Sequence, residues 1–115
     1  METNSAVRAL AALAQDHRLA IFRRLAVEGP SGMAAGDIAK AVGISPTSVS
    51  FHLKELDRAG LVVATRQGRF IRYAIHVDQV RQLLEFLTED CCGGHPELCG
   101  DGFSKQKDFC REERE

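Results

Sequence analysis

Three thiols stand close together towards one end of this 115-residue chain, in the run Cys91-Cys92-Gly93-Gly94-His95-Pro96-Glu97-Leu98-Cys99. The two glycines let the backbone fold back on itself, so the sulfurs of Cys91, Cys92 and Cys99 can close on one ion. Thiolates select soft, thiophilic species, whereas carboxylates and water suit hard ones. Adjacent Cα atoms lie about 3.8 Å apart, below the usual disulfide range. Cys91 and Cys92 therefore do not bridge each other, yet both can donate to one centre. Ligand number separates the candidates. Structural zinc takes four ligands, which the three cysteines supply only if His95 joins. Trivalent arsenic or antimony, with a lone pair at the apex of a pyramid, needs three thiolates. A redox-sensing thiol group, or a reactive tail with no role, is the remaining reading. All four cysteines lie after residue 90, although free cysteine usually packs in a core, and that placement favours a site. Cys110, in a charged stretch beyond Cys99, reads as a bystander.

The elements that must position such a site are legible upstream. Ser45 is a good N-cap, and Pro46 fits a first helical position, where a missing N–H costs nothing. Val49, Leu53 and Leu56 then share one face of a helix, with His52 at its edge, where it packs. The other face carries Thr47, Ser48, Phe51, Lys54 and Arg58: small and polar at the start, basic further on. Such a face suits the major groove, although alone it reads equally as an ordinary amphipathic helix. Its neighbours decide. A short helix over Gly36–Val42, stopped by Gly43, precedes it and completes a helix-turn-helix pattern. Strand-like runs Leu61–Arg66 and Arg69–Ile75, separated by Gln67-Gly68, follow it as a tight hairpin. The hairpin holds Arg66, Arg69 and Arg72 and no acidic residue, so it makes a basic wing.

On these residues, and above all on Ser48-Val49-Ser50-Phe51-His52-Leu53 and Arg58-Ala59-Gly60-Leu61-Val62, residues 6 to 99 resemble the ArsR/SmtB family of winged-helix metalloregulators. The resemblance implies a dimer built on the first and last helices. It also implies that the cysteine run is like that of arsenic-responsive members, whose inducer site follows the last helix. Two departures from other branches point the same way. The third helix has no cysteine, and the last helix has Asp78 but Arg81 three residues on, so an Asp/His zinc pattern there is not filled.

The remaining helices complete the frame. Thr3, Asn4 or Ser5 can cap a first helix with the stripe Val7, Leu10, Ala11 and Ala14. Asp16 can cap a second, carrying Leu19, Phe22 and Leu25/Ala26, which Gly29-Pro30 ends. Arg18, Arg23 and Arg24 on that helix read as solvated charges. The third helix has only Ala34 or Ala35 as a poor cap. A final helix over Val77–Thr88 carries Val80, Leu83, Leu84 and Leu87, an apolar stripe with no later element to cover it. A second subunit is the simplest cover.

Composition sets the outer bounds. The net charge is −1, but residues 1–84 hold 11 Lys/Arg against 7 Asp/Glu, and residues 85–115 hold 4 against 9. A basic body with an acidic tail is compatible with a surface that meets phosphate. With no signal-like or membrane-length apolar run, the expectation is a cytoplasmic chain without a membrane partner. No Ser/His/Asp constellation, phosphate-cradling loop or carboxylate pair suggests an enzyme, and His17, His76 and His95 are unpersuasive as catalytic groups. A thiol oxidoreductase would want a C-x-x-C on a βαβ pattern, which is missing.

The expected fold is therefore mainly α with a β-hairpin (α+β), a winged helix-turn-helix with helices 1 and 5 forming a dimer interface. Residues 1–90 are the DNA-binding and dimerisation domain, and residues 91–115 an inducer-binding tail. The expected function is a homodimeric repressor that binds double-stranded operator DNA through Thr47, Ser48, Ser50, Phe51, Lys54, Arg66, Arg69 and Arg72. As(III) or Sb(III) on Cys91, Cys92 and Cys99 would release it. The alternative is a winged-helix regulator whose tail senses zinc, cadmium, lead or oxidants.

Overall fold

All the helices after the first begin or end where a side chain or a glycine satisfies the backbone, and those punctuation marks set the architecture. The computed structural model describes residues 1–88, in the order α1 (Thr3–Leu13), α2 (Asp16–Glu28), β1 (Met33–Ala34), α3 (Ala35–Val42), α4 (Pro46–Arg58), β2 (Val62–Gln67), β3 (Phe70–Ile75) and α5 (Val77–Thr88). Among the described residues, five helices and one antiparallel sheet of strand order β1-β3-β2 make the mainly α, winged architecture expected. Cys91, Cys92, Cys99 and Cys110, with His95, lie outside the described residues, as does the expected tail domain.

Among the described residues, the large side chains that are wholly buried are Ile21 and Leu25 of α2, Ile38 of α3, Val49, Leu53 and Leu56 of α4, and Leu61 and Val62 entering β2. Burial of each contributes about 1.5–3 kcal/mol, so the core is made chiefly by the helix-turn-helix and its two flanks. The first helix joins it differently from the expectation. Ala6, Ala9 and Ala12 are the buried face of α1, packed towards α2 and α4, while Val7 and Leu10 are exposed. Small side chains let α1 lie close, and its bulkier residues are turned outward. On α2 the buried residues are Ile21 and Leu25; Leu19 and Ala26 are exposed and Phe22 is half-buried.

Two caps differ from expectation. Glu2, with no side-chain hydrogen bond, precedes α1 in place of Thr3, Asn4 or Ser5. Gln15 rather than Asp16 caps α2, its Oε1 accepting from the Arg18 N–H at 2.9 Å. A glutamine one residue earlier reaches the same amide, which leaves Asp16 in the first turn, where its charge suits the helix dipole.

Beyond α4 the chain turns sharply. The Leu61 N–H donates to Leu56 O (3.0 Å) and the Gly60 N–H to Asp57 O (2.9 Å), with Gly60 at φ +82°. This is a Schellman stop, and Gly60 takes the left-handed position that disfavours any Cβ. Leu56 and Leu61 are both buried. The wing therefore starts one residue after the turn, anchored in the core. Its hairpin pairs Gln67 with Phe70, so the loop is Gly68-Arg69 rather than Gln67-Gly68. Strand β1 had no counterpart in the expectation. It is two residues long, pairing Met33 with Tyr73 and Ala34 with Arg72.

The last helix is started by a histidine: His76 Nδ1 accepts from the Gln79 N–H at 3.4 Å, and His76 O from the Val80 N–H at 3.0 Å. Along α5, Leu83 is buried, whereas Val77, Leu84 and Leu87 are exposed.

Candidate nucleic-acid interface

The start of α4 is fixed by Ser45, whose Oγ accepts from the Ser48 N–H at 3.2 Å. Ser45 also donates its hydroxyl proton to Ser48 Oγ at 3.0 Å. Ser48 is half-buried and belongs as much to the cap as to the outer face. Thr47, Ser50, Phe51 and Lys54 are exposed and fall at i, i+3, i+4 and i+7, one stripe of the helix. Arg58 extends that stripe but is paired with Glu55 at 3.1 Å. The inward face holds Val49, His52, Leu53 and Leu56. Four of the five α4 residues expected to meet DNA are thus presented together, and the fifth is at their edge.

The wing arginines are not brought together in the same way. Partners across a ladder share a face, and successive residues alternate. Arg66 pairs with Ile71, whereas Arg72 pairs with Thr65, so the two lie on opposite faces of the hairpin. Arg69 is in the loop and, like Arg66, exposed. Arg72 is half-buried and occupied: its Nε donates to Ser31 O at 3.0 Å and its Nη2 to Gly32 O at 2.7 Å. Gly32 itself sits at φ +73°, and a Cβ there would lie 2.6 Å from Tyr73 O. Arg72 thus ties the loop before β1 to the sheet, a structural role beside the DNA contact expected of it. Beside the loop, Phe70 is 70% exposed, a large apolar side chain at the wing tip that composition did not single out.

A correction concerns Arg18. It is not a solvated charge: its Nε donates to His52 Nδ1 at 3.2 Å, and its guanidinium carbon lies 5.7 Å from the centre of the Phe51 ring. Arg24 is likewise engaged, with Glu28 at 3.1 Å. His52 is 8% exposed, with the His17 ring at 5.7 Å and the Phe51 ring, edge-on, at 5.5 Å. Burial, then the charge of Arg18, then His17 hold the His52 pKa below the ordinary imidazole value. A guanidinium only donates, so Nδ1 carries the lone pair and the neutral ring keeps its proton on Nε2. Sequence spacing placed His52 correctly, but nothing in it announced a partner 34 residues upstream.

Among the described residues no group of three or more His, Cys, Asp or Glu is arranged to hold a metal, and no helix is long and apolar enough to cross a membrane.

Comparison with known proteins agrees with this geometry. A helix-turn-helix domain family profile matches residues 13–64. The transcriptional regulator NmtR of Mycobacterium tuberculosis is 41% identical over 66% of this chain, a match that spans 61% of the relative's own length. ArsR2 of Halobacterium salinarum, named for an arsenical resistance operon, is 34% identical over 77% of this chain and 72% of its own. Among solved structures, the homodimeric winged helix-turn-helix DNA-binding domain Mb0332 of Mycobacterium bovis superposes with a TM-score of 0.62 at 32% identity, covering 76% of this chain and 81% of that one. The antimony-specific repressor AntR gives a TM-score of 0.60 at 33% identity, covering 84% of each chain.

Proposed function

This chain belongs to the ArsR family of winged helix-turn-helix transcriptional regulators, and from that premise we propose that it is a homodimeric repressor released from its operator by trivalent arsenic or antimony. The observation that carries the DNA half is the exposed stripe Thr47, Ser50, Phe51 and Lys54, on a helix held rigidly at both ends. Those side chains reach base edges, with Ser48 at the margin. Arg66 and Arg69, long and unopposed by acids within the wing, meet phosphates.

A dimer is supported by apolar residues that the described part of the chain leaves exposed, Val7 and Leu10 on α1 and Val77, Leu84 and Leu87 on α5. The homodimeric state of Mb0332 is consistent with it. Two identical readers related by a twofold axis match a pseudo-palindrome with half-sites one helical turn apart.

The inducer half rests on chemistry legible in the sequence: three thiols within nine residues and no other cysteine before them. Cys91, Cys92 and Cys99 would hold the metalloid, which needs three thiolates and no fourth ligand. The names of ArsR2 and AntR, which refer to arsenic and antimony, support that assignment. The test is release of a duplex selected by the protein from a random-sequence pool, measured with As(III), Sb(III), Zn(II), Cd(II), Pb(II) and an oxidant in turn. Release by As(III) and Sb(III) alone, lost in Cys91→Ser, Cys92→Ser or Cys99→Ser but kept in Cys110→Ser and His95→Ala, is the expected result. Loss in His95→Ala with a response to Zn(II) would instead identify a Cys/His zinc site.

A further inference from the structure

We propose that Arg18 is a positioning residue for base recognition: from α2 it clamps the buried His52 and the exposed Phe51 of α4 together and so fixes the direction of the Phe51 ring. The inference rests on the reading of α4 as the helix that meets DNA bases.

The clamp is assembled from local structure. Gln15 caps α2 by accepting the Arg18 N–H, which fixes Arg18 in the first turn. From there its side chain reaches α4, where neighbouring residues 51 and 52 point to different sides: Phe51 is 55% exposed and His52 8%. A guanidinium can serve both at once. It donates in its plane, here from Nε to His52 Nδ1 at 3.2 Å, and presents its flat charge to an aromatic ring, here 5.7 Å from the Phe51 centre. The His17 ring also lies 5.7 Å from the imidazole, tilted by 57°.

Without the clamp, an exposed phenylalanine on a helix populates two side-chain rotamers. A ring already held in one of them is not immobilised anew when it meets a base, which lowers the ordering cost of binding. The effect is confined to contacts with bases. Phosphate contacts depend on charge, which Arg18→Lys preserves, whereas a lysine is a compact point charge without the planar fork. Arg18 therefore acts on specificity through Phe51 and touches no base itself.

Four proteins decide the matter: parent, Arg18→Lys, Phe51→Ala and the double variant, each used to select duplexes from a random-sequence pool. Each is also titrated against the parent-selected duplex and a scrambled duplex. The expected result is that Arg18→Lys lowers the selected-to-scrambled affinity ratio roughly three- to tenfold. Base preference should relax at the same positions that Phe51→Ala relaxes, with the scrambled duplex bound within about twofold of the parent. The double variant should be no worse than Phe51→Ala alone. A nitrogen-15 spectrum of the parent, which does not depend on any variant folding, should show His52 Nδ1 unprotonated and Nε2 protonated. If Phe51→Ala shifts the preferences and Arg18→Lys does not, the clamp is refuted and the reading of α4 stands. If Phe51→Ala shifts nothing, the assignment of Phe51 to the bases falls and the clamp with it. A parent His52 protonated on Nδ1 also overturns the proposal.

Discussion

Two arginines that look alike in the sequence are held differently in the fold, and a pair of measurements tests whether their roles differ too. Arg72 donates to Ser31 O and Gly32 O, and its loss removes two charge-assisted bonds at a half-buried position. Arg72→Ala should therefore lower unfolding free energy by about 1–3 kcal/mol in urea titrations. Arg69→Ala should leave stability within about 0.5 kcal/mol and reduce the salt slope of DNA binding by about one. Equal salt-slope losses for the two would return Arg72 to the DNA. At the same scale, His52 makes stability depend on pH. Its folded pKa is depressed by burial, Arg18 and His17, so the unfolded chain binds the proton more readily. The His52 contribution is fully present above the ordinary value of about 6.5 and is lost as pH falls through the depressed folded value. Urea midpoints measured from pH 8 down to pH 5 should fall in the parent, and that part of the slope should disappear in His52→Gln.

Helix ends and turns are the elements on which the reader depends, and each has a substitution that tests it. Ser45→Ala removes the acceptor for the Ser48 N–H and should cost about 1 kcal/mol. Gly60→Ala forces a Cβ into the left-handed position at φ +82° and should cost about 1–2 kcal/mol; both are read from urea midpoints. Local chemistry of this kind is also what made the fold legible in advance. Ser45-Pro46 and Gly43 act within a few residues, and α4 emerged with the expected start and buried face. Long-range choices were not legible. Periodicity alone could not say whether alanines or larger residues of α1 face inward, because that depends on how near α2 and α4 stand. Nor could composition place Arg66 and Arg72 on opposite faces, since a ladder's register decides it. The cysteine site stands on the sequence alone, since residues 91, 92 and 99 lie outside those described.

For the whole molecule, the proposal separates a reader, residues 1–90, from a sensor, residues 91–115. Release requires the metalloid to bind the DNA-free dimer more tightly than the DNA-bound one, a coupling of about 1–3 kcal/mol or 5–150-fold in affinity. A chain ending at Asp90 keeps every proposed DNA and dimer residue and no thiol. By analytical ultracentrifugation it should remain a dimer. It should bind the selected duplex with near-parent affinity and ignore As(III). A monomeric or non-binding product would show that the tail is structural and the separation wrong.

The Schellman stop at Gly60 carries a consequence for how such a protein can be regulated at all. Because Leu56 and Leu61 are joined across a single turn and both sit in the core, α4 and the wing are tied together like one jaw of a caliper. In the proposed dimer, an effector would then work on the gap between two jaws. That freedom is generous in another direction: any place on the chain that bears on the gap can host the trigger, and the jaw need not be recut when the trigger is moved or exchanged for one of different chemistry.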